Sequence, residues 1–271
     1  MTTVLIILLL LAIVYVTATI KLYIEQGRRL YNPSRELAAD PGQSGLIFEN
    51  VHFRTSDGVV LHGWFVPCQG AGQVVLLFHG NTGNIADCIG SIAIFQSLGY
   101  HTFLFDYRGY GRSEGHPDEN GTYRDAEAAW TYLLSQRGFA PRDIILLGRS
   151  LGAAIATWLT TRHRPGALII ESTFTSIPDI AAHTFRLYPS RLMSRFNYNT
   201  LDNIRQTRCP VLVVHGKDDP VIPYHHGRRL YEQAPEPKSF LDIMGSHSEG
   251  YLESGDIYVN GLKSFLDRYA C

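Results

Sequence analysis

A serine between glycines is the first residue of this chain whose surroundings suit catalysis. The segment 148–152 reads GRSLG, a G-x-S-x-G pattern that follows the apolar run 144–147 and precedes a helical pattern. Glycines on both sides allow a sharp strand-to-helix turn that exposes the serine hydroxyl at a helix N-terminus. We therefore predict that Ser150 is a nucleophile rather than an ordinary helix-capping serine.

A histidine near the C-terminus can serve as the base that such a nucleophile requires. A serine hydroxyl reacts slowly unless a base takes its proton, and the base needs a carboxylate to orient it. His247 lies in a glycine-rich segment after the apolar run 238–243. Because open α/β sheets place their sites at the carboxyl ends of strands, we predict that His247 is the base rather than a surface histidine.

Three acidic residues are candidates for the orienting carboxylate. Asp218 and Asp219 follow one apolar run, and Glu171 ends another. Asp219 is favoured because it precedes Pro220, whereas Asp218 is placed to cap the turn. Glu171 remains an alternative acid, although a turn or loop-bonding role suits it better. The resulting order of serine, acid and histidine is one of the orders in which catalytic triads occur.

Backbone N–H groups at two places can stabilise the oxyanion of an acyl-transfer transition state. One belongs to Leu151, directly after the nucleophile. The other comes from the segment 79–84, HGNTGN, whose glycines permit close approach to a substrate. We favour Asn81 in this segment, with Thr82 next, and interpret His79 as bonded within the loop. The G-x-x-x-x-G-K-[ST] pattern of phosphate-binding loops is missing.

Apolar runs that alternate with helical patterns must position these groups. From residue 45 onward, the runs are of the kind buried on both faces of a parallel sheet. Such alternation implies right-handed crossovers and predicts an α/β fold, with a mostly parallel, doubly wound sheet of about eight strands and helices on both faces. The predicted strands are 48–55 and 59–66, which form an opening hairpin, then 73–78, 101–105, 144–147, 167–170, 211–214 and 238–243; the predicted helices are 85–98, 122–136, 151–162, 227–233 and 256–268.

The stretch 174–207 contains no strand pattern but many bulky side chains. It is either an ordinary crossover with core contacts or a small cap that lines a substrate pocket near the strand ends. On the second interpretation, the substrate-binding candidates are Phe174, Tyr188 and Met193.

The run Val4 to Ile20 carries no charge. As a helix its seventeen residues cover about 25 Å, and residues 22–24 beyond a snorkelling Lys21 extend it to the roughly 30 Å of a bilayer core. A buried core helix and a signal peptide cleaved near residues 16–18 are the alternatives. We favour a retained anchor, because the run is apolar on all faces and no positive side chain precedes it. The expected division is a transmembrane anchor at 1–24, a tether at 25–45 and one α/β domain at 46–271.

Charge and cysteine content narrow the classes of function. Positive side chains follow the apolar run and none precedes it, so the positive-inside rule places the large domain in the cytoplasm; they are Lys21, Arg28, Arg29 and Arg35. With 24 basic and 25 acidic residues, the chain lacks the basic excess of a nucleic-acid-binding protein. Its 45% hydrophobic and 18% charged residues exclude a disordered chain. Four scattered cysteines exclude a disulfide scaffold or a CxxC zinc site, and agree with a reducing compartment.

Five ordered segments resemble those of the α/β-hydrolase fold serine hydrolases. They are HGNTGN at 79–84, DYRGYGRSEG at 106–115, GRSLG at 148–152, HGKDDPVIP at 215–223 and GSHSEG at 245–250. The similarity is greatest to a subgroup of single-span, membrane-anchored members with an HGN-x-GN loop. That wider group includes eukaryotic protein depalmitoylases and many bacterial proteins. The long cap insertions of other branches are missing here.

This resemblance implies a function as well as a fold. It implies Ser150, Asp219 and His247 as a triad, supports Asp219 over Asp218 through its HG-x-x-D position, and makes 106–115 a structural loop near the site. The expected activity is hydrolysis of a carboxylic ester or acyl thioester through an acyl-enzyme, without a metal or organic cofactor. The apolar run and the aromatic side chains of the 174–207 stretch favour a hydrophobic, lipid-like acyl group. An acyltransferase or peptidase on the same triad, and a non-catalytic membrane scaffold, are the alternatives.

Overall fold

The computed structural model describes residues 1–270 and joins eight strands into one central sheet. The strands are β1 (Glu49–Arg54), β2 (Val60–Val66), β3 (Val74–Phe78), β4 (His101–Phe105), β5 (Ile144–Arg149), β6 (Ala167–Glu171), β7 (Val211–Gly216) and β8 (Lys238–Ile243). Their order across the sheet is β1-β2-β4-β3-β5-β6-β7-β8. Strand β2 is antiparallel to both of its neighbours, and the other pairs are parallel. The prediction of an eight-stranded, mostly parallel sheet that opens with a hairpin is confirmed.

Helices follow most of these strands at the predicted places. They are α1 (Thr2–Leu30), α2 (Ile89–Ser97), α3 (Glu119–Ser135), α4 (Leu151–Thr160), α5 (Ile177–Thr184), α6 (Ser190–Met193), α7 (Thr200–Ile204), α8 (His225–Gln233), α9 (Gly250–Glu253) and α10 (Asp256–Tyr269), with 3₁₀ turns at Pro41–Ser44, Ile85–Cys88 and Pro141–Asp143. The helix predicted at 85–98 is instead a 3₁₀ turn followed by α2, because Asn84 forms a capping box at the start of the turn. Helix α3 begins before residue 122, because Asp118 accepts a hydrogen bond from the Gly121 N–H (2.9 Å).

Core layers cover both faces of the sheet. In β3, Val74, Leu76 and Phe78 join one buried cluster, and Val75 and Leu77 join another. Successive side chains of a strand point to opposite faces, so this alternation shows that the central strands are buried on both sides. The parallel strands therefore bring their carboxyl ends to one edge of the sheet, where the predicted site residues follow β5, β7 and β8.

The stretch 174–207 forms three short helices, α5 to α7, and no strand. Phe174 and Tyr198 near its two ends are buried, whereas Leu187 and Leu192 between them are 83% and 90% exposed. We call residues 174–207 the cap.

Helix α1 is a single element of 29 residues, none of which is buried. Among the described residues it is the one helix long and apolar enough to cross a membrane. The chain predicted to become a tether after residue 24 instead continues this helix to Leu30. The continuation has a physical reason, since Glu25 pairs with Arg29 one turn later (2.9 Å) and the helix ends only ahead of Pro33.

The residues after α1 pack against the α/β domain. Tyr31 is buried, and Asn32–Pro33 pairs in parallel with Thr82–Gly83. The Tyr31 hydroxyl lies 2.7 Å from that of Tyr198 in the cap. These contacts hold the C-terminal end of α1 beside both the cap and the loop after β3.

Candidate active site

Ser150 occupies a tight turn between β5 and α4. Its backbone has φ 53° and ψ −118°, a strained conformation for a residue with a side chain. Gly152 lies so close to β3 that a Cβ there would overlap the backbone carbonyl oxygens of Phe78 and His79. A Cβ at Gly148 would likewise overlap the backbone at residues 152 and 153. The two glycines of the G-x-S-x-G segment are therefore required by close packing around the serine.

The structure brings Ser150, His247 and Asp219 into one hydrogen-bonded chain. The Ser150 Oγ lies 3.1 Å from His247 Nε2, and His247 Nδ1 lies 2.8 Å from Asp219 Oδ2. Asp219 is on the loop after β7 and His247 on the loop after β8. Both separations are within the range for proton transfer or orientation of an imidazole. The neighbouring Asp218 is exposed, so the favoured of the two acids is the one in contact with the histidine.

The surroundings of Asp219 keep its carboxylate ionised. Burial, the largest influence, raises the pKa of this group. The hydrogen bond with His247 and those that Oδ1 accepts from the Val221 N–H (2.8 Å) and the Ile222 N–H (2.9 Å) outweigh burial and lower the pKa below its ordinary value. A negative charge thus lies beside His247 Nδ1, where it favours the Nδ1–H tautomer and leaves Nε2 free to accept a proton.

His215, which the sequence did not single out, supports the loop that carries Asp219. Its side chain is fully buried, and its Nε2–H donates to the Ile222 carbonyl (2.9 Å). Burial lowers the pKa of His215, so the ring is neutral and suits a structural role. A Cβ at Gly227 would overlap this ring, which shows how closely α8 packs against it.

Glu171, the alternative acid, binds elsewhere. Its carboxylate accepts a hydrogen bond from Arg149 Nε (2.9 Å) and another from the Tyr258 hydroxyl. The Arg149 guanidinium also stacks over the Tyr251 ring at 3.7 Å. Glu171 therefore belongs to a buried network beside the turn that carries Ser150, and its partners fit a structural role rather than orientation of His247.

The loop with the candidate oxyanion donor is fixed from several sides. The Tyr107 hydroxyl donates to the His79 carbonyl (3.0 Å), and the Tyr110 hydroxyl donates to the Asn81 carbonyl (2.8 Å). The Asn81 side chain donates through Nδ2 to the Leu30 carbonyl (2.9 Å), at the end of α1. His79 is buried and hydrogen-bonds within its loop, to the Gly80 carbonyl (2.7 Å). The conformation of this loop is thus coupled to the end of the apolar helix.

A cavity of about 1490 Å³, including its open mouth, contains Ser150 and His247. We call it the catalytic cavity. Asn81, Thr82 and Leu151 line it, so the predicted oxyanion donors lie in the same space as Ser150. Much of the remaining wall is apolar, and is formed by Leu30, Phe174, Ile177, Ile180, Val221 and Ile222. Within residues 1–270, no cluster of His, Cys, Asp and Glu is arranged to hold a metal ion.

The three cap residues predicted to bind substrate separate into two groups. Phe174 lines the catalytic cavity, whereas Tyr188 and Met193 do not and instead line a second cavity beside α1. The reason is the docking of the cap on α1: Tyr188 stacks on Tyr15 with ring centroids 5.7 Å apart, and the Met193 carbonyl accepts from Gln26 Nε2 (2.8 Å). Sequence reasoning did not identify Leu30, Ile177 and Ile180 as residues of the cavity wall. The spacing of Ile177 and Ile180, which puts them on one face of a helix, was the only sequence signal that pointed to these two.

Comparisons with known proteins agree with this architecture. The family described as alpha/beta hydrolase fold matches residues 73–196. The alpha/beta hydrolase domain-containing protein WAV2 of Arabidopsis thaliana is 34% identical over 259 residues, which cover 88% of this chain and 84% of that protein. An uncharacterized membrane protein of Saccharomyces cerevisiae is 31% identical over 257 residues, 90% of each chain. Among solved structures, the Pyrococcus furiosus esterase Pf2001 superposes with a TM-score of 0.76 at 20% identity, covering 89% of this chain and 98% of that one.

The chain belongs to the α/β-hydrolase family. The predicted fold class is confirmed by this membership and by the strand order of the sheet.

Proposed function

We propose that this protein is a membrane-anchored serine hydrolase that cleaves carboxylic ester or acyl thioester bonds. The observation that carries the proposal is the continuous hydrogen-bonded chain from Ser150 through His247 to Asp219, which opens onto a cavity whose wall is apolar in large part. The five sequence segments around this site also resemble the subgroup with an HGN-x-GN loop, which supports an acyl substrate over a peptide.

The geometry suits a two-step acyl transfer. Ser150 Oγ attacks the acyl carbonyl carbon while His247 Nε2 takes its proton, and the N–H groups of Leu151 and Asn81 stabilise the oxyanion. His247 then gives the proton to the leaving alcohol or thiol, and the Ser150 ester of the acyl group remains. Water, deprotonated by His247, attacks that ester, and His247 returns the proton to Ser150 Oγ as the carboxylic acid is released. Asp219 holds the imidazole through Nδ1–H and stays ionised throughout.

The membrane attachment rests on α1. This helix has the length and apolar surface of a membrane span, and the yeast relative is named a membrane protein. The positive side chains that follow the span support a cytoplasmic α/β domain under the positive-inside rule. A reporter fused to the C-terminus tests this orientation: activity of a cytoplasm-only reporter is expected, and activity of a reporter that works only outside the cytoplasm contradicts it.

Covalent labelling with a fluorophosphonate probe tests the activity class. The full-length protein in detergent is expected to be labelled, and Ser150→Ala is expected to abolish labelling. Ser135→Ala, on the exposed part of α3, is the matched control and is expected to retain it. Labelling that persists in Ser150→Ala refutes the nucleophile, and a wild-type protein that is never labelled favours the non-catalytic scaffold.

A further inference from the structure

A second cavity lies between α1 and the cap, and we call it the α1–cap groove. It encloses about 770 Å³ including its mouth, and its lining is largely apolar. Leu22 and Tyr23 contribute from α1, and Ala181, Phe185 and Met193 contribute from the cap. Apolar concave surfaces with few polar groups are typical of sites for apolar ligands.

The groove and the catalytic cavity meet at shared side chains. Leu30, Ile177 and Ile180 line both of them. Ile177 and Ile180 are three residues apart on α5 and therefore share one face of that helix. These shared apolar side chains offer an apolar chain whose carbonyl lies at Ser150 a route from the catalytic cavity into the groove.

The polar side chain of Gln26 within the groove is already satisfied. Its Nε2 donates to the Met193 carbonyl (2.8 Å), and its Oε1 accepts from the Arg195 N–H (2.7 Å). Gln26 thus ties the cap to α1 and adds no demand for a polar ligand. These bonds make the helix a fixed wall of the groove.

The far end of the groove lies at the level of the apolar span. The lining residues of α1 run from Leu30 back to Thr19, and Thr19 lies within the uncharged run 4–20. These twelve residues are separated by eleven helical steps, which cover about 16 Å. At the reach of a fully extended peptide, at most about 3.6 Å per three backbone bonds, a chain of about 14 bonds matches this length.

The tip of the cap also reaches the apolar part of α1. The Tyr15 hydroxyl donates to the Leu187 carbonyl (3.1 Å), and Tyr15 stacks on Tyr188. Leu187 and Leu192 expose most of their side chains at this tip. Exposed leucines suit contact with lipid, and Tyr188, which follows Leu187, lines the groove, so this part of the cap is suited to meet acyl chains.

We propose that the α1–cap groove is an acyl-chain site, in which a single long acyl chain lies against the anchor helix while its ester or thioester carbonyl reaches Ser150. This inference rests on the proposed hydrolase function and adds that the anchor is a wall of the substrate site as well as an attachment. The substrate class is accordingly a long-chain acyl ester or thioester drawn from the membrane.

Paired substitutions in the full-length protein test the site. Hydrolysis of p-nitrophenyl hexadecanoate and butanoate is measured in detergent. Ala181→Trp fills the groove from the cap, and it is expected to lower kcat/KM for the hexadecanoate at least about tenfold, since several methylenes lose their apolar contacts. Butanoate turnover is expected to be unchanged. Ala182→Trp, directed to a different cavity on α5, is the matched control and is expected to affect neither ester.

A second pair examines the anchor itself. Leu22→Trp narrows the groove from α1 and is expected to reduce hexadecanoate turnover selectively, whereas Ile24→Trp, at an exposed position of the same helix, is expected to leave it unchanged. Ser150-dependent butanoate hydrolysis with hexadecanoate turnover untouched by either groove variant overturns the groove but not the hydrolase. Absence of Ser150-dependent hydrolysis of both esters overturns the proposed function instead.

Photocrosslinking of the wild-type protein gives a readout that does not depend on how variants fold. A hexadecyl fluorophosphonate with a diazirine at the chain end is attached to Ser150 and irradiated. Crosslinked peptides are expected to include the α1 residues from Thr19 to Tyr23. Crosslinks confined to parts of the α/β domain outside α1 and the cap overturn the proposal.

Discussion

The substitution Asp219→Asn keeps the shape of a side chain and removes the charge beside His247. In the structure Oδ1 accepts two backbone N–H groups, from Val221 and Ile222, and Oδ2 faces His247 Nδ1 at 2.8 Å. An asparagine keeps its oxygen on the backbone donors, so its amide nitrogen points a donor at Nδ1. The imidazole then carries its proton on Nε2, which faces Ser150 Oγ and can no longer accept a proton from it.

The size of this effect follows from the loss of the base. The corresponding change in a serine protease lowers kcat by about 10⁴-fold, which corresponds to about 5 kcal/mol of transition-state stabilisation. We expect a loss of this order for butanoate hydrolysis, with thermal stability in detergent close to that of the wild type. Asp218→Asn, at the exposed neighbouring acid, is the matched control and is expected to retain full activity.

Steady-state kinetics with the butanoate ester separate the two variants. A loss of less than tenfold in Asp219→Asn, or an equal loss in Asp218→Asn, would refute the role given to the contact between Asp219 and His247.

Three further predictions concern the loops around the nucleophile and the surface of the domain. Gly152→Ala places a Cβ against the carbonyl oxygens of Phe78 and His79, so we expect the free energy of unfolding to fall by about 3 kcal/mol. An unchanged denaturant midpoint would contradict the close packing of Gly152 on these carbonyls. Asn81→Ala removes the bond to the Leu30 carbonyl, worth about 1 kcal/mol, and is expected to lower kcat about fivefold because the oxyanion loop loosens; an unchanged kcat would show that this tie does not position the loop. The hydrogen bond with Arg108 is the main reason that the pKa of Asp57 lies below its ordinary value. The ionised Asp57 therefore stabilises the fold fully above the unfolded-state pKa of about 3.9, and this stabilisation is lost as the pH falls towards the folded-state pKa. We therefore expect the melting temperature of Asp57→Asn to fall less steeply than that of the wild type as the pH is lowered below about 4. The same pH dependence in both proteins would contradict this role of Asp57.

Much of the fold was predictable because local signals and tertiary structure agree. The run 74–78 is apolar at every position, and a strand buried on both faces requires that. The position of Ser150 was predictable for a similar reason, since two glycines, an apolar strand before it and a helix after it all serve one turn.

The contacts of the cap were not predictable from periodicity. Tyr188 and Met193 carry bulky side chains in the expected segment, but their direction depends on where the cap meets α1. The extent of α1 was not predictable from composition, because the sequence changes from apolar to charged residues near residue 24, whereas a helix continues through charged residues that pair one turn apart. Leu30 lines the catalytic cavity only because of that continuation.

Asp219 was favoured over Asp218 from the sequence pattern, but the contacts that distinguish the two acids were not predictable. Both acids follow the same strand and are adjacent in the chain. A shift of one position therefore decides which carboxylate is buried against the imidazole. The turn through Val221 and Ile222, whose N–H groups converge on Asp219, fixes the outcome, and these donors carry no side-chain signature in the sequence.

Mass spectrometry of the acyl-enzyme tests the central claim most directly. The full-length protein is mixed with p-nitrophenyl butanoate in detergent, quenched in acid during turnover and digested. A butanoyl adduct on the peptide that contains Ser150 is expected, and it is expected to be absent, together with the turnover, in Ser150→Ala. An adduct on another residue, or hydrolysis by Ser150→Ala at the wild-type rate, would contradict the assignment of Ser150 as the nucleophile.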